Sequence, residues 1–110
     1  MKILDKIVRD KKLEVDRLSS NSSIKELENS SLFSRQCISL KDSILKSPGG
    51  IICEFKRRSP SNNNINYKSN ISEVIQGYQK AGAAGLSILT NKQYFDGDIQ
   101  DILEIREISS

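Results

Sequence analysis

The chain has 110 residues, with 17 Lys and Arg against 14 Asp and Glu and 36% hydrophobic residues, which is typical of one ordinary soluble domain. Its net charge of +3 is too small to indicate nucleic-acid binding. No apolar run approaches the roughly 18 residues that span a membrane, and the N-terminal segment is charged, so we expect a cytoplasmic protein. Histidine is absent and Cys37 and Cys53 lack metal-ligand spacing, which excludes structural zinc and a catalytic histidine.

The N-terminal part of the chain is predicted to be helical. Apolar residues at helical spacing predict an amphipathic helix over residues 2–18. Ser23 followed by Glu26 is a capping-box pattern and predicts a short second helix that ends near Leu32. A third helical turn is expected over residues 40–45, and the Ser- and Asn-rich stretch before it is interpreted as an exposed connector.

The second part of the chain alternates strands and helices. Short apolar runs predict strands over residues 51–55 and 85–90, and a loop is predicted over residues 91–97. The pattern Asn70–Glu73 predicts a helix that begins at Ile71 and ends at Gly82, and acidic residues at Asp98 and Asp101 favour the start of another. This order predicts an α/β fold with parallel strands, and two such strands alone leave both outer edges unpaired.

A carboxylate and an ammonium group are predicted at the end of the first strand. Because side chains alternate across a strand, Glu54 and Lys56 share one face, whereas Cys53 and Phe55 face the helices. Parallel βα folds bind ligands at the carboxyl ends of their strands. The pair is therefore either part of a site for a charged ligand or a solvated ion pair on an exposed strand, and the pattern leaves both open.

Two further segments have more than one interpretation. Arg57 and Arg58, followed by Ser59, resemble a phosphate-binding loop but also the composition of a kinase target or a nuclear-import signal. Tyr94 and Phe95 either line an apolar pocket or pack in the core.

Four motifs in order resemble the indole-3-glycerol phosphate synthase family of tryptophan biosynthesis. They are IICEFKRRSPS at residues 51–61, YQKAGA at 78–83, LSILT at 86–90 and YFDG at 94–97. The opening ILDKIV at residues 3–8 is similar to the N-terminal helix of that family. The resemblance covers essentially the whole chain and is weakest over residues 19–36.

This resemblance implies a (β/α)8 TIM barrel preceded by a helical extension. Such barrels have about 250 residues. Residues 1–48 would then form the extension and residues 49–110 the first two βα units, so we expect the N-terminal portion of a barrel.

The resemblance also implies an activity and a set of site residues. The family is a carboxy-lyase that converts 1-(2-carboxyphenylamino)-1-deoxyribulose 5-phosphate to indole-3-glycerol phosphate with loss of CO2 and water, and it needs no metal or organic cofactor. Lys56 matches a catalytic lysine that contacts and orients the anionic substrate, and Glu54 matches a glutamate that fixes this lysine. Ser59 and Phe95 match substrate-binding residues, and Arg57 is expected to assist binding through loop shape and its electric field.

The family's other catalytic groups would follow Ser110. They are a general-acid lysine on strand three, a general-base glutamate on strand four and a phosphate site after strands seven and eight. We therefore expect no ring closure by the isolated chain. Its expected partner is a phosphorylated small molecule, with no nucleic acid and no membrane, and the unpaired strand edges favour self-association. The alternative is a naturally short, self-associating module that binds anions without catalysis.

Overall fold

The computed structural model describes all 110 residues, which divide into two compact units, Met1–Cys37 and Ile38–Ser110. None of the helices combines the length and apolarity needed to cross a lipid bilayer. The elements in chain order are α1 (Ile3–Asn21), α2 (Ile24–Glu28), α3 (Leu40–Lys46), β1 (Ile52–Phe55), α4 (Ile71–Lys80), β2 (Gly85–Ile88), α5 (Lys92–Phe95) and α6 (Ile99–Arg106).

The first unit contains α1 and α2, neither of which has a buried residue. Helix α1 continues beyond the predicted end at residue 18 to Asn21, and Ser20 within this added turn donates its hydroxyl to the Asp16 carbonyl, 2.9 Å away. The predicted cap of α2 is confirmed, since the Ser23 hydroxyl accepts the Glu26 N–H at 3.1 Å. Helix α2 ends at Glu28 rather than near Leu32, and turn-forming Asn and Ser residues follow it.

The second unit is built on a parallel pair of strands, which confirms the predicted α/β arrangement. Strands β1 and β2 form a two-stranded sheet in which Glu54 lies opposite Ser87. The predicted helix after Asn70 is also confirmed, since the Asn70 side chain accepts the Glu73 N–H at 3.2 Å. Gly82 adopts the left-handed conformation just beyond α4, with φ 88°.

The core lies between one face of this sheet and helices α4 and α6. It consists of Phe55, Ile71, Ile75 and Ile105, of which Phe55 and Ile75 are at most 1% exposed. Full burial of such a side chain contributes about 1.5–3 kcal/mol. The face of β1 that carries Phe55 therefore packs on the helices, as the alternation predicted, and Glu54 lies on the opposite face.

Helix α3 belongs to the second unit. Its Ser43 hydroxyl donates to the Ala84 carbonyl at 2.5 Å, next to the start of β2. Leu40 lies so close to Gly85 that a side chain at Gly85 would collide with it. The compact units thus divide at residues 37 and 38, and the domain division at residues 48 and 49 stays a prediction about a complete barrel.

A short helix lies in the segment that was predicted to be a loop, residues 91–97. The Asn91 side chain accepts the Tyr94 N–H at 2.8 Å and so caps α5. Asp96 ends this helix in the left-handed conformation, with φ 50°. Helix α6 then begins with a capping box between Asp98 and Asp101, where the acidic pattern had predicted a helix start.

Candidate functional site

Glu54, Lys56 and Ser87 form a polar cluster at the carboxyl end of the strand pair. The Lys56 ammonium lies 3.4 Å from Glu54 Oε1, and the Ser87 hydroxyl donates to Glu54 Oε2 at 2.9 Å. The side chains of Lys56 and Glu54 are 34% and 44% exposed. Since an ion pair this exposed contributes at most about 1 kcal/mol, it stabilises the fold little, and both groups are accessible to a ligand.

The loop after β1 folds back onto the end of that strand. The Asn66 side chain donates to the Lys56 carbonyl at 3.0 Å. The N–H groups of Ile65 and Asn66 donate to the Arg57 carbonyl at 2.9 and 3.1 Å. These bonds hold the two peptide units that follow Lys56 and so help to fix the direction in which its side chain leaves the strand.

The guanidinium group of Arg57 is bound by Asp101 at the start of α6. Two parallel hydrogen bonds of 2.6 and 2.9 Å join the groups, and the guanidinium carbon lies 5.4 Å from the centre of the Phe55 ring. Hydrogen bonding raises the pKa of Arg57 and lowers the pKa of Asp101. Arg57 thus ties the strand end to α6, and its part in substrate binding stays a prediction.

A second set of contacts joins the same loop to α5. The Arg58 guanidinium donates to the carbonyls of Gln93 and Lys92 at 2.8 and 3.3 Å. Hydrogen bonds from Lys92 and Tyr67 lower the pKa of Asp96. Desolvation, followed by the hydrogen bond to Asp96, raises the pKa of Tyr67. Both ends of the loop are therefore attached to the α5 segment, the start through Arg58 and the end through Tyr67.

The other predicted site residues lie on these two joined segments. Ser59 is partly buried, pairs through its backbone with Asn62 and has its hydroxyl 3.2 Å from that of Ser61. Of the two aromatic residues in α5, Tyr94 is buried and Phe95 is partly exposed. The structure brings Glu54 and Lys56 together at the strand end. Ser59 and Phe95 lie on the two segments that the Arg58 contact joins.

Sequence reasoning did not identify Ser87 or Asp101 as part of this site. A signal for Ser87 is that it is the first polar side chain in the second predicted strand, as Glu54 is in the first, and the structure pairs the two residues. Asp101 was recognised only as an acidic residue near a helix start. No cluster of three or more His, Cys, Asp or Glu side chains is arranged to hold a metal ion.

Two consecutive parallel βα units place this chain in the α/β class. Proteins of that class bind ligands at the carboxyl ends of their strands, where the charged groups of this chain lie. The family model described as indole-3-glycerol phosphate synthase matches residues 4–110. The chain therefore belongs to the indole-3-glycerol phosphate synthase family, whose members are TIM-barrel lyases of tryptophan biosynthesis. This confirms the resemblance identified from the motifs.

Individual relatives agree with the family match. The chain is 38% identical over 106 residues to indole-3-glycerol phosphate synthase of Bacteroides thetaiotaomicron, covering 96% of this chain and 41% of the relative. It is 38% identical over 109 residues to the Bacillus cereus enzyme of that name, covering 98% of this chain and 40% of the relative. For the Methanothermobacter marburgensis protein of that name, identity is 33% over 107 residues, covering 97% and 38%. The chain thus spans about two fifths of the length of these relatives.

Proposed function

We propose that this chain supplies the helical extension and first two βα units of an indole-3-glycerol phosphate synthase. The reaction is closure of the indole ring of 1-(2-carboxyphenylamino)-1-deoxyribulose 5-phosphate, with loss of CO2 and water. The observation that supports this most strongly is the accessible Glu54–Lys56 pair at the carboxyl end of β1, within the family's matching residues.

The role of Lys56 follows from the charge of this substrate. A molecule with a phosphate and a carboxylate needs cations that hold it in the geometry of ring closure. The Lys56 ammonium supplies one such charge, and Glu54 holds it in place from 3.4 Å without burying it. A positioned ammonium group can also donate a hydrogen bond to a carbonyl oxygen as negative charge develops there.

The surrounding loops contribute binding rather than proton transfer. The partly exposed Phe95 ring offers an apolar surface to the anthranilate ring, and the Ser59 hydroxyl offers a hydrogen bond. Arg57 shapes the loop through its two hydrogen bonds to Asp101, whose carboxylate offsets most of the positive field of the guanidinium group. The remaining acid and base of the family's reaction would come from strands three and four, so the isolated chain is inactive.

A hybrid enzyme tests this proposal. The chain is joined at residue 110 to the part of the Bacteroides thetaiotaomicron relative that follows its matched segment, and product formation is followed by indole fluorescence. We expect ring closure by the hybrid, a loss of at least about 100-fold in kcat for Lys56→Met and a smaller loss for Glu54→Gln. Lys80→Met, an exposed lysine at the end of α4, is the matched control and keeps full activity. Equal activity of Lys56→Met and Lys80→Met would reject the proposed role of Lys56.

A self-associating module that binds anions is the second candidate. It is favoured by the open outer edges of the two-stranded sheet and by the exposure of Ile51 and Ile52, at 59% and 47%. A stable, saturable assembly of the chain that binds inorganic phosphate, together with an inactive but folded hybrid, would favour this candidate over the synthase.

A further inference from the structure

We propose that Ser87 is a positioning residue of the active site, which fixes the carboxylate of Glu54 so that Glu54 in turn fixes Lys56. The proposal rests on the proposed function, because it adds a residue to the same site. Ser87 itself contacts Glu54 and has no direct bond to Lys56 among the contacts of the cluster.

The parallel register places Ser87 where it can act on Glu54. The two residues are direct neighbours across β1 and β2, and the hydroxyl-to-carboxylate distance is 2.9 Å. Tyr78, on α4, donates its hydroxyl to the Glu54 carbonyl at 3.4 Å and so holds the main chain of the same residue. Backbone and carboxylate of Glu54 are therefore held by different elements.

The two oxygens of Glu54 have different partners, and this difference carries the inference. Oε2 accepts the Ser87 hydroxyl while Oε1 faces the Lys56 ammonium. A glutamate side chain that is 44% exposed has several rotamers available, and an ion pair in water selects among them weakly. A hydrogen bond depends more strongly on distance and angle than such an ion pair does. The Ser87 hydroxyl therefore selects the Glu54 rotamer that points Oε1 at Lys56.

The residue type at position 87 supports the same conclusion. Strand β2 is apolar on either side of it, at Leu86 and Ile88, and both of these pack against the core. Branched apolar residues are favoured at strand positions, and serine adds little there to packing or strand propensity. The hydrogen bond to Glu54 is the contribution of Ser87 that an apolar residue could not make.

Side-chain NMR of the 110-residue chain tests the contact itself. Scalar couplings of Glu54 report how many rotamers it samples. We expect one dominant rotamer in the wild type and in Ser87→Thr, which keeps the hydroxyl, and averaged couplings in Ser87→Ala. The matched control is Ser72→Ala, which removes another serine–glutamate hydrogen bond, the 2.8 Å bond to Glu104, and leaves Glu54 unchanged. Averaged Glu54 couplings in the wild type would overturn the proposal, and this includes the averaged couplings that a disordered chain would give. Unchanged couplings in Ser87→Ala would overturn it as well.

Kinetics of the hybrid enzyme test the consequence. We expect Ser87→Ala to lower kcat about tenfold, with KM changed less than about twofold, and Ser87→Thr to restore most of the loss. If the wild-type hybrid is folded but inactive, the proposed function fails while the NMR experiment still decides whether Ser87 orients Glu54. If the wild-type hybrid is active and Ser87→Ala equals it, the positioning role fails and the proposed function stands.

Discussion

At the scale of single residues, the charged groups of the site differ in how they are held. Arg57 and Asp101 are 24% and 9% exposed in their side chains and share two hydrogen bonds, whereas Lys56 and Glu54 are more exposed and joined by a single longer contact. Two parallel hydrogen bonds hold the first pair away from water, so removing either partner leaves an uncompensated charge and destabilises the fold. The second pair remains available for ligands.

Replacing Asp101 tests the structural role of the first pair. Asp101→Asn leaves the Arg57 guanidinium without its charged partner, and we expect the free energy of unfolding to fall by about 2 kcal/mol in urea denaturation. Lys92→Gln is the control, because it breaks an ion pair with Asp96 in which the lysine side chain is 78% exposed, and it should lower the free energy of unfolding less than Asp101→Asn does. Equal effects of the two substitutions would contradict this assignment.

Asp101 makes the free energy of unfolding fall as the pH is lowered. Its pKa is lowered from the ordinary value of 3.8 by the Arg57 hydrogen bond. The folded state therefore binds fewer protons than the unfolded state in this range, so the stabilisation is fully present above pH 3.8 and is lost as pH falls through the folded pKa. We expect urea midpoints to drop below about pH 4, and to drop less steeply for Asp101→Asn. An equally steep decline in the variant would show that other carboxylates are responsible.

At the scale of elements, helix caps and helix ends could be predicted from the sequence, because they depend on neighbouring residues. The Ser23 and Asn70 caps and the left-handed Gly82 depend on a few adjacent side chains and backbone angles, and all three are present. Helix α5 was missed because it is a single turn inside a polar segment, with no apolar stripe to indicate it. The bond between Arg57 and Asp101 joins residues 44 positions apart, so no local pattern predicts it.

Two glycines near the same helix give opposite predictions. Gly82, with φ 88°, ends α4 in a conformation that costs alanine about 1 kcal/mol, so Gly82→Ala should destabilise the chain. Gly77 lies within α4, and a Cβ there meets open space, so Gly77→Ala should stabilise the chain by about 1 kcal/mol. Thermal melting of both variants checks this pair, and a shift of the same sign in both would contradict the conformational explanation.

At the scale of the whole molecule, the second unit has only two strands in its sheet, while apolar side chains such as Ile51, Ile52 and Leu103 are exposed. The sequence predicted the order of these elements and the face of β1 that packs on the helices. It could not predict which apolar residues stay uncovered, because burial depends on long-range packing. Open edges of this kind pair readily with further strands.

Self-association is the consequence that can be measured on the chain itself. We expect light scattering to show a mass that rises with protein concentration. Ile52→Lys, which adds a charge to β1, should shift this rise to higher concentration. A compact monomer across the whole concentration series would contradict the prediction.

The most direct test of the central claim compares ring closure by the hybrid enzyme with ring closure by the isolated chain, at equal concentration and with the same substrate. If the chain supplies the strand-one part of a synthase site, the hybrid turns over and the isolated chain stays at background. A folded hybrid without activity, or turnover by the isolated chain, would contradict that claim.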